Sequence, residues 1–216
     1  MLWNLWIGVV ALTLSHVAIA AASVFRDPDT GLTFASEFTN YKINQGITYR
    51  IATPPDAVRG EPFDMIVQIV APNDVGWTGI AFSGSMRENP LLIVWRNAAG
   101  NGVVASTRWA RGHITPEPYA GASATVLRTG TKTNGTHYQA TIMCSGCSFW
   151  RTASGGTRFL IPNESNRIAM AYSPTRPSNA NSNTSAISVH DVHAYWPHQL
   201  NQGVNANFRQ VVQTLQ

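Results

Sequence analysis

Apolar residues in this chain recur at every second position within short segments, and this spacing limits the fold more than any other feature. In the segment FDMIVQIV, Phe63, Met65, Val67 and Ile69 would lie on one face of a strand, with Gln68 on the other. Successive side chains of a β-strand point to opposite faces of a sheet. The pattern therefore predicts a half-buried strand whose core face carries these four apolar residues.

Similar segments follow at short intervals, and the stretches between them are rich in Gly, Pro and Asn. The segments are GWTGIAF, LLIVWRN, GVVASTRWA, ATVLRTG, HYQATIMC and RIAMAYS. RNAAGNGVV predicts a hairpin connection, NFRQVVQTL predicts a C-terminal helix, and the polar residues 173–186 predict a long loop. Short strands joined by such turns indicate an all-β sandwich or barrel, which we place in a single domain over residues 23–216.

The beginning of the chain is apolar and has no charged side chain before Arg26. It ends in the small residues AIAAAS, which predicts a cleaved signal peptide over residues 1–22 and a secreted, extracellular product. No later stretch is long and apolar enough to cross a bilayer. Three N-x-S/T sequons, at Asn134, Asn163 and Asn183, predict glycosylation and agree with export.

The charge balance is mildly basic, with 15 Lys and Arg, 11 Asp and Glu, and a net charge of +4. The Arg residues are scattered and form no basic block. This distribution argues against nucleic acid as a partner. It favours, at most, partners with acidic surfaces.

The two cysteines, Cys144 and Cys147, form the motif CSGC. In an exported protein such a pair favours a local disulfide. Covalent haem attachment would need a His after the second Cys, where Ser148 stands, and zinc would need further ligands that are not nearby. The motif is therefore interpreted as structural.

Signals of hydrolytic or oxygenase chemistry are weak. No G-x-S-x-G motif occurs, and the acids are dispersed. A polysaccharide-cleaving copper oxygenase would need a mature amino-terminal His, whereas the expected cleavage leaves Ala or Ser. The segment SVHDVHAYWPHQL holds His190, His193 and His198, from which a zinc or copper site could be built. If this segment is extended, His190 and His193 point to opposite faces, so one imidazole would need a ligand partner from elsewhere.

Met86 lies in SGSMREN, where its small and polar neighbours build no core. A thioether is a soft ligand that suits copper or haem iron and is poor for zinc or calcium. Iron held by one Met and one His has no open position for oxygen chemistry, and the sulfur raises the reduction potential. Met86 is therefore a candidate ligand in an electron-transfer site.

Six segments give the chain a resemblance to a known family. They are FRDPDTGLTF, IVAPNDVGWTGIAFSGSM, LLIVWRN, VASTRWARGHITPEPYAG, THYQATIMCSGCSFW and SVHDVHAYW. In this order they resemble the secreted cytochrome domain of fungal cellobiose dehydrogenases, a group that includes iron reductase domains. The resemblance implies an immunoglobulin-like antiparallel β-sandwich that binds one non-covalent haem b in a surface pocket.

The resemblance also implies roles for particular residues. The family's axial ligands fall on Met86 and His190, and its cysteine pair falls on Cys144 and Cys147. His113 stands where the family often has a Tyr near the haem propionates. The continuation HAYW after His190 departs from the family pattern, and this leaves His193 as the alternative ligand. Ser83 and Ser85 replace small family residues beside Met86 and leave the haem potential open.

The function that the resemblance implies is single-electron transfer by an extracellular b-type cytochrome, expected to be a monomer. Its donor would be a flavin dehydrogenase or another redox partner, and its acceptor a copper polysaccharide oxygenase or ferric iron. No G-x-G-x-x-G flavin motif occurs, so a dehydrogenase partner would be a separate molecule. Enzymatic ferric reductase activity is left open.

The alternative function is a carbohydrate-binding sandwich without a cofactor, for which seven Trp and six Tyr supply aromatic faces. Trp77, Trp95 and Trp109 lie in strand-like sequence, where burial in the core is expected. Arg87 and Arg108 are expected to be solvated at the surface.

Overall fold

The computed structural model describes residues 23–215, so the predicted signal peptide over residues 1–22 lies outside the described residues. Fifteen strands, one 3-10 helix and one α-helix follow one another in the described part of the chain. They are β1 (Ser23–Arg26), β2 (Thr33–Lys42), β3 (Gln45–Ala52), β4 (Met65–Pro72), β5 (Trp77–Ala81), β6 (Leu91–Arg96), β7 (Val103–Trp109), β8 (Glu117–Pro118), β9 (Ser123–Val126), β10 (Lys132–Thr133), β11 (His137–Ser145), β12 (Phe149–Arg151), β13 (Thr157–Phe159), β14 (Ser165–Ser173), β15 (Val192–Gln199), the 3-10 helix (Leu200–Gly203) and α1 (Phe208–Leu215).

The strands form two packed antiparallel sheets and a separate hairpin. The seven-stranded sheet has the order β1-β2-β3-β4-β11-β10, and β9 also pairs with β11. The six-stranded sheet has the order β15-β14-β5-β6-β7-β8, and β12 pairs with β13. The prediction of an all-β sandwich is confirmed, as are the hairpin between β6 and β7 and the C-terminal helix.

The main hydrophobic core lies between the two sheets. It includes Phe63, Met65, Val67 and Ile69, so the predicted core face of this segment is confirmed. The prediction that the strand is only half buried is wrong, because its other face is covered as well. There Gln68 is buried and donates hydrogen bonds from Nε2 to Asp27 Oδ2 and to Thr141 Oγ1, each at 3.1 Å.

The outer faces of both sheets are covered by connecting segments and by α1. On the seven-stranded sheet, Ile66 packs with Phe208 and Val212 of α1. On the six-stranded sheet, Trp77 and Trp95 belong to an outer cluster that packs under the residues between β14 and β15. We call this connecting segment, residues 174–191, the strap.

The strap is tied to the six-stranded sheet by hydrogen bonds. Arg108 on β7 donates from Nη2 to the carbonyl oxygens of Asn183, at 2.9 Å, and Ser185, at 2.7 Å. The indole of Trp95 donates to the Ala180 carbonyl oxygen at 3.0 Å. Arg108 is only 2% exposed, so the expectation that it is solvated at the surface is wrong. A guanidinium carries several donors in a fixed fork, and here the strap carbonyls accept them.

Cys144 and Cys147 form the expected disulfide, with 5.8 Å between their Cα atoms. Both residues are fully buried at the end of β11. Gly146 between them has φ +75°, and a Cβ there would collide with the Gly121 carbonyl oxygen. The motif CSGC therefore needs its glycine for the backbone conformation and for the close approach of a neighbouring loop.

No helix within residues 23–215 is long and apolar enough to cross a membrane.

His198 on β15 is buried in the core and sets an acid limit on stability. Its Nδ1 accepts a hydrogen bond from the Trp196 indole at 3.0 Å, and its Nε2 has no partner among the described residues. Burial lowers the pKa of His198 from 6.5 to about 4. The folded state therefore keeps this imidazole neutral where the unfolded chain already binds a proton.

We expect the free energy of unfolding to fall by about 3 kcal/mol as the pH falls from the ordinary His pKa to about 4, because only the unfolded state is protonated in this range. Below the folded pKa this contribution is lost completely. Urea unfolding at pH 7, 5.5 and 4 measures it. The exposed His137 is the control: His198→Gln should flatten the pH dependence and His137→Gln should not. An unchanged slope in His198→Gln would contradict the assignment.

Candidate functional site

Met86 lies in the loop of residues 82–90, which connects β5 to β6. Its side chain is half-buried and packs against the outer cluster of the six-stranded sheet. The buried Asn89 donates from Nδ2 to the carbonyl oxygens of Ser85, at 2.7 Å, and Arg87, at 2.9 Å. The loop around Met86, whose small and polar neighbours build no core, is thus fixed from within by the Asn89 side chain.

Neighbouring elements hold the same loop from two sides. The indole of Trp150 on β12 donates to the Glu88 carbonyl oxygen at 2.9 Å. The Glu88 amide donates to the Ala110 carbonyl oxygen at 2.8 Å, just after β7. Glu88 adopts a positive φ of 52°, which a non-glycine residue tolerates at a cost that the surrounding contacts must offset. The position of Met86 is therefore set by three separate parts of the chain.

His190 lies at the end of the strap, immediately before β15. The next residue, Asp191, donates its amide to the Tyr172 carbonyl oxygen at 2.8 Å, and this fixes the return of the chain onto the sheet. The rings of His190 and His193 have centroids 5.3 Å apart and meet edge to face. The two rings would lie on opposite faces only if the whole segment were extended, and this condition is not met because β15 begins at Val192.

The surroundings of His190 favour its neutral form. Burial lowers its pKa, the positive charges of His193 and His113 lower it further, and Asp191 acts in the opposite direction. A neutral imidazole is the form that binds a metal ion. His113, which is exposed in the segment after β7, thus lies within electrostatic range of His190.

Met86 and the strap border one apolar surface. Ile187 of the strap belongs to the same outer cluster as Ala81 of β5 and Ala169 of β14, and Met86 packs against this cluster. Ala171 continues this row of small side chains and pairs with His193 across β14 and β15. A thioether packed against an apolar surface and an imidazole whose neutral form is favoured by burial are ligand types that fit haem iron.

A site made from the three clustered histidines is not formed. His198 points into the core, whereas His193 is exposed on the outer face of the same strand. Over residues 23–215 no group of three or more His, Cys, Asp or Glu side chains is arranged to hold a metal ion. A zinc or copper site that uses all three histidines is therefore not formed.

The tryptophans of the described chain offer no flat exposed surface for a sugar ring. Trp77, Trp95, Trp150 and Trp196 are each at most 6% exposed, and all lie in or under the sheets. Trp109 is half-buried and stacks on Tyr119, with ring centroids 4.8 Å apart. Burial of Trp77 and Trp95 was expected from their strand positions.

The three sequon asparagines take no part in this site as side chains. Asn134, Asn163 and Asn183 are all exposed in turns or in the strap. The amide side chain of Asn134 accepts from the backbone amides of Thr136 and His137, each at 2.8 Å, through its oxygen. Exposure of all three side chains is compatible with glycosylation.

Two residues that shape the site were missed as such by sequence reasoning. Asn89 pins the Met86 loop and Arg108 pins the strap, but neither stands in a motif that reports its partners. Arg108 lies in an alternating strand segment, where an arginine usually signals a solvated position. Arg108 could have been singled out only from the observation that it shares one face of β7 with Ser106 and that the strap covers this face.

Comparison with known proteins gives consistent matches. The sequence model of the cytochrome domain of cellobiose dehydrogenase matches residues 25–210. The pyrroloquinoline quinone-dependent pyranose dehydrogenase of Coprinopsis cinerea is 32% identical over 151 residues, which are 68% of this chain and 20% of that protein. The chain thus corresponds to only about a fifth of the length of this curated relative.

Two solved structures share the fold. The cytochrome b domain of pyranose dehydrogenase from Coprinopsis cinerea superposes with a TM-score of 0.75 and 26% identity, covering 89% of this chain and 94% of that one. The cytochrome domain of Myriococcum thermophilum cellobiose dehydrogenase superposes with a TM-score of 0.78 and 23% identity, covering 90% and 96%. At this identity the second likeness concerns the fold alone.

Proposed function

Because the chain belongs to the family of cytochrome domains of cellobiose dehydrogenase, we propose that it carries single electrons through a non-covalent haem b, which Met86 and His190 would hold. The observation that supports the proposal is the environment of each residue. Met86 is a half-buried thioether that packs against the apolar outer cluster, and His190 is a half-buried imidazole, with its pKa lowered by burial, near the end of the strap that covers the same sheet. When bound, haem iron would supply a reversible one-electron change.

The residues of the chain would set the properties of that change. With haem bound, the Met86 sulfur would favour the reduced iron, and ligation by Met86 and His190 would suit electron transfer instead of oxygen chemistry. Asn89 and the strap hold both ligands in place, so little reorganisation accompanies a change of charge. His113 is proposed to face the propionates, and His193 is the alternative ligand because its ring adjoins that of His190.

We propose one redox partner as electron donor and another as electron acceptor. The donor would be a dehydrogenase or a small-molecule reductant, and the acceptor a copper polysaccharide oxygenase or ferric iron. The relative from Coprinopsis cinerea is a quinone-dependent dehydrogenase, so a quinone cofactor joins flavin as a possible source of electrons. We further propose secretion after removal of residues 1–22, glycosylation at Asn134, Asn163 and Asn183, and a monomeric state.

The test is the absorption spectrum of residues 23–216 purified from cells supplied with haem, recorded oxidised and after dithionite reduction. We expect one haem b per chain, released intact by acid acetone, with low-spin bands that sharpen on reduction. Bovine serum albumin mixed with haem serves as the control for non-specific binding. A colourless protein, or one whose bands match the albumin control, would refute the cytochrome assignment.

A further inference from the structure

Exposed arginines surround the loop that carries Met86. Arg87 lies in the loop itself, and a backbone bridge pairs it with Ala110, next to Arg111. Arg167 on β14 packs its side chain against Gly84, where a Cβ would lie 2.5 Å from the arginine Cγ. One of these three arginines therefore lies in the loop, one follows β7, and one lies on β14 beside the loop.

The hairpin of β12 and β13 adds a fourth arginine. Its Trp150 donates to the Glu88 carbonyl oxygen, and Arg158 is the cross-strand partner of Trp150. Cross-strand partners share one face of a hairpin and lie close together. We call Arg87, Arg111, Arg158 and Arg167 the arginine rim.

Each rim arginine is free of a carboxylate partner among the described residues, whereas four other cations of the described chain are paired. Lys42, Arg59, Lys132 and Arg209 each form an ion pair with an acid. The acids closest to rim residues along the chain are Glu88, Glu117 and Glu164, and of these Glu164 forms an ion pair with Arg59. Asp191 lies next to His190. The surface around the Met86 loop thus carries an excess of positive charge.

We propose that the arginine rim is the docking surface for a redox partner whose own surface is acidic. This inference rests on the proposed function, because electron transfer requires a partner to bind close to the redox site. Complementary charges would steer the encounter and orient the partner. The rim borders the loop of a proposed ligand, so a docked partner would lie beside the haem site.

An acidic polysaccharide fits the same surface less well. Sugar rings bind to exposed aromatic faces, but the exposed Tyr195 beside the rim has the Arg167 guanidinium 4.4 Å from its ring centroid. The ring face that a sugar would need is therefore shared with a cation. The observations favour a protein surface of carboxylates over a chain of uronic acids.

The test uses a fluorescein-labelled peptide of ten glutamates as a mimic of an acidic protein surface, with binding followed by fluorescence anisotropy at 10 and 150 mM salt. Arg111→Gln/Arg158→Gln is the rim variant, because neither side chain makes a hydrogen bond in the described structure. Arg26→Gln/Arg128→Gln is the matched control, since both are exposed arginines on the seven-stranded sheet side and the charge change is identical.

We expect the rim variant to bind the peptide about fivefold more weakly than the parent at low salt, the control variant to stay within twofold, and high salt to remove the difference. Equal weakening in both variants, or none, overturns the proposal. Tighter, rim-dependent binding of polygalacturonate than of the peptide also overturns it, in favour of a polysaccharide. The peptide assay needs no haem, so the absorption spectra of the same samples report failure of the proposed function separately.

Discussion

His190→Ala is expected to abolish the low-spin haem spectrum of the purified protein. Without the imidazole, iron held by Met86 alone becomes five-coordinate and high-spin, or the haem dissociates. Met86→Ala should have the same kind of effect through loss of the thioether. The absorption spectrum, together with haem content per chain, measures both variants against the parent.

The control for these variants is His137→Ala, because His137 is an exposed histidine on β11 in the other sheet. It should retain the parental spectrum and haem content. A retained low-spin spectrum in His190→Ala that disappears in His193→Ala would move the ligand assignment to the neighbouring ring. A parental spectrum in both Met86→Ala and His190→Ala would show that the pair does not bind the iron.

Arg108→Gln is expected to lower the free energy of unfolding by about 4 kcal/mol and to weaken haem binding. The guanidinium donates to the carbonyl oxygens of Asn183, Ser185 and Pro116 and to Ser106 Oγ. A buried acceptor without a donor costs about 1–3 kcal/mol, and several would be left so. Relief of the buried charge offsets only part of this loss.

Two measurements separate the role of Arg108 in stability from its role in positioning His190. Urea unfolding gives the loss of stability. The low-spin fraction at saturating haem, measured on the folded variant, reports whether the strap still positions His190. Arg108→Lys should recover part of both, since one ammonium replaces some of the donors but not the fork. A full low-spin fraction in Arg108→Gln would show that the strap places His190 without this anchor.

The sequence was sufficient to predict the sandwich because the alternation of apolar residues has a local cause. Side chains of β4 and β14 alternate between the sheet interior and an outer face, and any sequence window of eight residues shows it. The burial of Ile66 and Gln68 on the outer face of β4 was missed because it depends on α1 and on Asp27 and Thr141, which are distant along the chain. Burial on an outer face is decided by what packs on it, which periodicity does not report.

The candidate site was predicted in part for a similar reason. Met86 stood out because a soft side chain among small polar residues is unusual, and the family resemblance supplied His190. The proximity of His190 and His193 could not be predicted, since it depends on where β15 begins. Arg108 was misjudged because its partners are backbone carbonyls of the strap, about 75 residues later. Every residue has a carbonyl, so the sequence does not show which one accepts a hydrogen bond.

Three indole N–H groups fasten the two loops that border the candidate site: Trp150 to Glu88, Trp95 to Ala180, and Trp77 to Ser188 Oγ at 3.2 Å. Each of these buried indoles is also an intrinsic fluorophore that is shielded from water. Detachment of either loop would admit water to an indole and shift its emission to longer wavelength. The tryptophan emission of the apoprotein therefore reports whether the two loops are docked on the sheet before haem binds.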